Sequence, residues 1–284
     1  MKKLIFLFIV LPFIGFSQSA IDFLPTTTNN GELVHHTYYS LSYSEQNEQA
    51  EWVFYEIKKE RILGLVSRTD NFRSDEKISS NSATLLDYRR SGYDRGHLAP
   101  AADFSFNTTA MSESFYMSNM SPQNPSFNRG IWGNLESLVR SWGTNSSIYV
   151  VTGPILNDCS TTIGTNNVCV PKYYYKVIYN PSEQKMIALV LPNEKGDQDL
   201  DYYVCSTDSL ESLTNIDFFP ILEDKLEKKL ESEVHKENWS WIVTTTQYKT
   251  KNTTLATQCK GTTQKGRRCQ NKTKNTRGNC HHHD

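Results

Sequence analysis

Hydrophobic and polar positions alternate with a period of two in several short windows of this chain. His36 to Tyr43 alternates around tyrosines, Glu51-Trp52-Val53-Phe54-Tyr55-Glu56-Ile57 does so again, and the polar run Ser44 to Ala50 lies between them. Their aromatic and β-branched content predicts an antiparallel strand pair. Further strands are predicted at Ser147 to Thr152, Tyr173 to Tyr179 and Lys185 to Leu191, with Gly153-Pro154 and Asn180-Pro181 as breakers. Over Arg129 to Trp142 the period lengthens to that of a helix, and Ile131, Leu135, Leu138, Val139 and Trp142 form one apolar stripe. A second helix is predicted after Thr207-Asp208, where Leu210 and Leu213 repeat, and a third over Phe218 to Glu233. Strands and helices in this non-alternating order predict an α+β fold with a mixed, mainly antiparallel sheet.

The ends read differently from the middle. Lys2 and Lys3 precede an apolar stretch, Leu4 to Phe13, and Gly15-Phe16-Ser17 offers a small-residue exit, so residues 1–17 are predicted to be a secretory signal peptide. The apolar stretch is shorter than the roughly 20 residues of a spanning helix. The expectation is a secreted or periplasmic protein with no membrane segment after cleavage. Residues 18–33 are polar and rich in Thr and Asn, a predicted flexible leading segment before a main domain over 34–250. Net charge is −1, which neither favours nor excludes a polyanionic partner. The charge is unevenly spread: from Cys259 onward, seven basic residues face one acidic residue, Asp284. Residues 251–284 therefore form a distinct basic tail.

The six cysteines fall into three settings. Cys159 and Cys169 bracket a Thr/Asn/Gly-rich loop and predict a local disulfide in an exported chain. Cys205 has no obvious neighbour. In the tail, Cys259, Cys269, Cys280 and His283 offer the donor set of a tetrahedral Zn²⁺ site, and the spacing resembles a small Cys₃His appendage. Oxidation competes with zinc here, with Cys205 a possible disulfide partner.

Candidate chemistry concentrates in Tyr93-Asp94-Arg95-Gly96-His97-Leu98-Ala99-Pro100-Ala101-Ala102-Asp103. Arg95 is a permanently charged fork suited to phosphate oxygens, and His97 can accept a proton near neutral pH. A second block follows: Met117-Ser118-Asn119-Met120-Ser121-Pro122-Gln123, then Phe127-Asn128-Arg129-Gly130-Ile131-Trp132, then Leu135-Glu136. Together with Tyr149 to Pro154, Pro171 to Val177 and Leu189 to Asn193, these blocks resemble the DNA/RNA non-specific endonuclease family over roughly residues 33–245.

The resemblance implies a ββα-metal (His-Me finger) core and an enzyme that hydrolyses phosphodiester bonds of DNA and RNA. It implies that His97 is the general base and that Asn128 ligates one Mg²⁺, Mn²⁺ or other divalent ions being possible. Glu136 would act on that ion through water, and Arg140 would lie near the scissile phosphate. By itself, an Asn just before a helix is also a common N-cap, and Glu136 with Arg140 one turn on is also an ordinary ion pair. Arg95 reads as the main phosphate clamp. Asp94 either orients the motif or closes a turn, and Asn119 either supports the site or only the fold. Upstream, Arg68 is preferred over Arg73 as a further site arginine. DNA and RNA are expected to be held by their phosphate backbones, with low sequence specificity; oligomeric state is not legible. Two rival readings are an inactive nucleic-acid-binding protein carried by the basic tail and an exported phosphodiesterase for small nucleotides.

Overall fold

In the computed structural model, the structure describes residues 20–28, 31–243, 257–263 and 266–273. The chain divides into two units, residues 1–245 and 246–284. The first is built on a seven-stranded sheet whose spatial order is β1 (Gly31–His35), β2 (Tyr39–Ser44), β3 (Gln49–Ile57), β6 (Ile148–Pro154), β9 (Tyr173–Asn180), β10 (Lys185–Pro192) and β11 (Val204–Cys205). Every pairing in it is antiparallel. Alternation decides what each face carries. Tyr39, Leu41, Val53, Tyr55, Val150, Tyr174 and Ile178 belong to one core, while Trp52, Phe54, Val151, Tyr175 and Val177 belong to another.

Between β3 and β6 the chain leaves the sheet and builds everything in the two motif blocks. This excursion contains α1 (Leu85–Tyr88), β4 (Asp94–His97), α2 (Thr108–Glu113), β5 (Met120–Gln123), α3 (Pro125–Phe127), a π-helical turn (Asn128–Trp132) and α4 (Gly133–Trp142). Leu135, Leu138, Val139 and Trp142 of α4 join the first core, as their spacing predicts. The strands β4 and β5 pair only with each other. A short hairpin, β7 (Thr162–Ile163) with β8 (Val168–Cys169), lies within the loop closed by a Cys159–Cys169 disulfide. Its Gly164 has φ of +69°, and a Cβ there would meet Asp87 at 2.3 Å, so both backbone and space require glycine.

Helices α5 (Thr207–Thr214) and α6 (Asp224–Ser232) cover the second core with Leu210 and Leu230. The third predicted helix is shorter than Phe218 to Glu233. Pro220 cannot continue a helix and Phe219 takes φ of +61°, so Phe218 and Phe219 are buried anchors ahead of α6. The leading segment is also corrected. Ala20–Phe23 forms a 3₁₀ turn whose buried Phe23 stacks on Tyr149, and the edge strand β1 starts at Gly31. His36 is not in a strand: it is buried in the β1–β2 turn and bonds Asp75 at 2.8 Å.

Among the described residues, no helix is long and apolar enough to cross a membrane. Residues 1–17, predicted to be a signal peptide, lie outside the described residues. In the second unit, β12 (Thr257–Gln258) pairs with β13 (Lys272–Thr273), and Cys259 and Cys269 are buried together.

Candidate active site

The hairpin β4–β5 carries the Asp-Arg-Gly-His sequence, with Asp94 opposite Gln123, Gly96 opposite Ser121 and His97 opposite Met120. Gly96 is fixed by space: a Cβ on it would lie 2.1 Å from the Gln123 side chain, which is fully buried. The chain after His97 is pinned by buried Asn119. Its Oδ1 accepts the Ala99 N–H at 2.9 Å, and its Nδ2 donates to the carbonyls of Ala99 and Ser114, each at 2.9 Å. Asn119 thus spends its amide on backbone beside the histidine.

The helix after β5 starts earlier than its apolar stripe predicts. Asn124 is the cap, accepting from Ser126 N–H, and Pro125 occupies the first turn, where its missing donor costs nothing. Asn128 is therefore inside the helical run and does not cap it. At Gly130 the backbone leaves helical angles, and the π turn re-aims the residues on either side. Asn128 Nδ2 donates to Asp94 Oδ2 at 2.9 Å. The same carboxylate takes Arg129 Nε at 2.8 Å and Nη2 at 2.6 Å. Burial pushes the Asp94 carboxyl up, but the Arg129 and Asn128 bonds and the charges of Arg129 and Arg95 outweigh it and hold the group below its usual range. Asp94 remains an acceptor, and with Nδ2 donating to it the Asn128 Oδ1 is the amide atom left to accept or to ligate.

His97 is 8 % exposed, and its Nε2 has no hydrogen-bond partner. Phe72 and Phe115 stand edge-on or tilted at 5.8 and 5.0 Å. Burial, then the positive charges of Arg68 and Arg95, push the imidazole down to about 3, so it is neutral at physiological pH. Both arginines lie over aromatic rings, Arg95 at 4.3 Å from Phe72 and Arg68 at 4.8 Å from Phe115. Both are exposed. Arg73 is instead spent on Tyr116 and on the carbonyls of Asn71 and Ser112, so Arg68 is the upstream arginine whose charge reaches His97.

A charged network joins the sequence-predicted Glu136 and Arg140 to Asp103 and Lys176, which motif reading missed. Arg140 pairs through Nε with Asp103, and not with Glu136 one turn back. Lys176 is fully buried: its ammonium donates to Thr152 Oγ1 at 3.1 Å and the Leu98 carbonyl at 3.3 Å, and sits 4.6 Å from the Trp132 ring centroid. Burial pushes the Glu136 carboxyl up, opposed by Lys176 and helped by Asp103, and burial brings the Lys176 ammonium down, opposed by Glu136 and Asp103. Lys176 falls between Tyr174 and Ile178 on the core-facing side of β9, and a charge at that alternation position was the available signal. Asp103 ends the first motif block without a role of its own there.

The surface beside Asp94 and Arg95 is an open groove lined by Leu86, Tyr88, Arg89 and Tyr93. Of the four predicted zinc donors, Cys259 and Cys269 come together, with Gly261 N–H donating to Cys259 Sγ at 3.3 Å. Cys280 and His283 lie outside the described residues.

A histidine on a two-stranded ribbon, tied through Asp94 to an asparagine on the helix that follows, makes this a ββα-metal centre in a mixed α+β protein. The profile of the DNA/RNA non-specific endonuclease family matches residues 20–225. A nuclease from Nostoc sp. is 35 % identical over 211 residues, covering 69 % of this chain and 76 % of that protein. Human mitochondrial endonuclease G is 34 % identical over 203 residues, covering 64 % and 67 %. A chain from the crystal structure of an EndoG/EndoGI complex superposes with a TM-score of 0.63 at 34 % identity, covering 68 % of this chain and 88 % of that one. The chain belongs to the DNA/RNA non-specific endonuclease family, hydrolases that act on nucleic-acid phosphodiester bonds.

Proposed function

We propose that this chain is a secreted, Mg²⁺-dependent endonuclease that cuts DNA and RNA with low sequence specificity. The observation that carries the reading is the neutral His97 on the β4–β5 hairpin beside Arg68 and Arg95, its Nε2 sealed inside the protein without a partner. That leaves Nδ1 as the ring nitrogen open to accept a proton from attacking water. Arg68 and Arg95 depress its basicity when the site is empty of anions. A bound phosphodiester offsets their charge, so His97 becomes a stronger base when substrate is in place. The guanidinium groups hold phosphate oxygens, and Arg140, braced by Asp103, adds positive charge beneath them.

The donor set fits a hydrated, oxygen-seeking ion: Asn128 Oδ1 as direct ligand, its Nδ2 being held by Asp94, Glu136 acting through water, and no need for a full acidic cage. When bound, such an ion supplies the positive charge that stabilises the departing oxygen. Asp94 keeps the Asn128 amide in the required orientation.

Low specificity follows from recognition by exposed arginines of phosphate, which carries no base identity. Export is supported by the leader pattern and by the Cys159–Cys169 disulfide, which persists in oxidising compartments.

The test is incubation of purified mature chain with closed-circular DNA and with structured RNA, in Mg²⁺ or EDTA, beside His97→Ala. Expected is degradation of both polymers that requires metal, with single-turnover cleavage reduced at least about a hundredfold in the variant while binding in EDTA is retained. Cleavage that survives the substitution would move the base elsewhere, and an inert wild type under every divalent ion would favour the binding-protein reading.

A further inference from the structure

On the face of the sheet away from His97, the junction of α5 and α6 gathers acidic groups without a cation to match them. Carboxylate oxygens of Asp208, Glu211 and Glu231 all lie within 4.8 Å of one another. Among the described residues none of the three forms an ion pair with Lys, Arg or His. Glu231 is the informative member. It is 5 % exposed, and its buried Oε1 has no hydrogen-bond partner. A buried carboxylate oxygen left unpaired is expensive, and this side chain brings an oxygen within 4.8 Å of two further carboxylates.

Glu211 commits one oxygen to the Phe218 N–H at 2.8 Å, which fixes its rotamer. Asp208 stands in the first turn of α5 and is exposed, leaving room for water in a coordination shell. Asp217 and Glu227 add negative charge. Burial, then Glu211 and Glu227, push Glu231 up to about 9, and burial pushes Glu211 up to about 7. Two events relieve such a cluster, retention of protons or capture of a hard cation.

We propose that Asp208, Glu211 and Glu231 bind a structural divalent cation, Ca²⁺ in preference to Mg²⁺, that joins α5 to α6. Ca²⁺ takes oxygen ligands at about 2.3–2.6 Å in flexible geometry, so oxygens spread over such a distance can all reach one ion. Mg²⁺ demands about 2.0–2.1 Å and a near-ideal octahedron. The donors come from two helices, so the ion would cross-link elements that otherwise meet through Leu210, Leu226 and Leu230. This site is separate from Asn128 and would act on stability.

The experiment uses the full chain carrying Asn128→Ala, which removes the proposed catalytic ligand, stripped with EDTA and titrated calorimetrically with CaCl₂ or MgCl₂, with thermal unfolding in parallel. Expected is uptake of one Ca²⁺ and a rise in Tm of roughly 5 °C or more at a hundredfold excess over Kd, with a weaker response to Mg²⁺. Glu231→Gln and Asp208→Asn, each added to that background, should abolish the uptake. Without Ca²⁺ the Glu231→Gln chain should melt no lower than its parent, because it replaces a carboxyl that burial keeps from ionising with a neutral amide of nearly the same shape. A parent whose heat and Tm are indifferent to Ca²⁺ overturns the proposal, as does uptake that persists in both added variants. An equal response to Mg²⁺ overturns the preference for Ca²⁺.

Discussion

Two residues in the hairpin show how little freedom the site allows. Gly96 has no alternative because Gln123 fills the space beside it. Gly96→Ala should cost about 1–3 kcal/mol, the usual range for overpacking, read as a lowered urea midpoint with an unchanged slope. Asp94 acts through its neighbours. Its bond to Asn128 sets which end of the amide is left to ligate, so Asp94→Ala should lower apparent Mg²⁺ affinity about 10- to 100-fold. Activity should recover as Mg²⁺ is raised. A variant that stayed equally weak at high Mg²⁺ would show that Asp94 does something other than orient the ligand. Residue types and spacing made both positions legible in the sequence. What the motif could not show was the partner: nothing in it says that Asp94 also carries Arg129, or that Arg140 belongs to Asp103 and not to Glu136.

At the scale of elements, α4 and β9 form one electrostatic unit. Glu136 comes from the helix and Lys176 from the strand beneath it, and each moderates the other's charge. If ionised Glu136 supports the cation, burial raises its carboxyl above the ordinary range, so apparent Mg²⁺ affinity should be full only well above that raised pKa and fall as pH drops through it. The sign follows from the raised carboxyl: below its pKa the group is neutral and attracts no ion. Lys176→Met removes a positive charge that favours the ionised form, so the acid limb of kcat/KM at subsaturating Mg²⁺ should move to higher pH. An unmoved limb would separate Lys176 from the site. The strands were readable because alternation survives one-sided burial, and α4 because its stripe is complete. Lys176 was missed because a buried lysine looks like any other strand residue until the sheet assigns its face. The break at Phe219-Pro220 turned a long apolar pattern into a short helix, and Phe23 ordered a segment whose composition reads as flexible.

For the whole molecule, net charge is a poor guide to a polyanion-cleaving protein, because the positive groups are local: Arg68 and Arg95 at the site, and the run of lysines and arginines after Cys259. Deleting residues 252–284 should weaken binding of DNA at moderate salt and flatten the salt dependence, with kcat unchanged, if the tail tethers substrate. Unchanged affinity across a salt series would leave the tail without that role. Topology has a separate consequence. The strands β3 and β6 are neighbours in the sheet, and nearly all of the proposed chemistry lies in the chain that departs from Ile57 and returns at Ile148. The entropic cost of closing such a loop rises only slowly with its length. Residues can therefore be gained or lost in its outer bends without disturbing a single rung of the sheet, which leaves the molecule free to reshape how it grips a polymer while its frame stays the same.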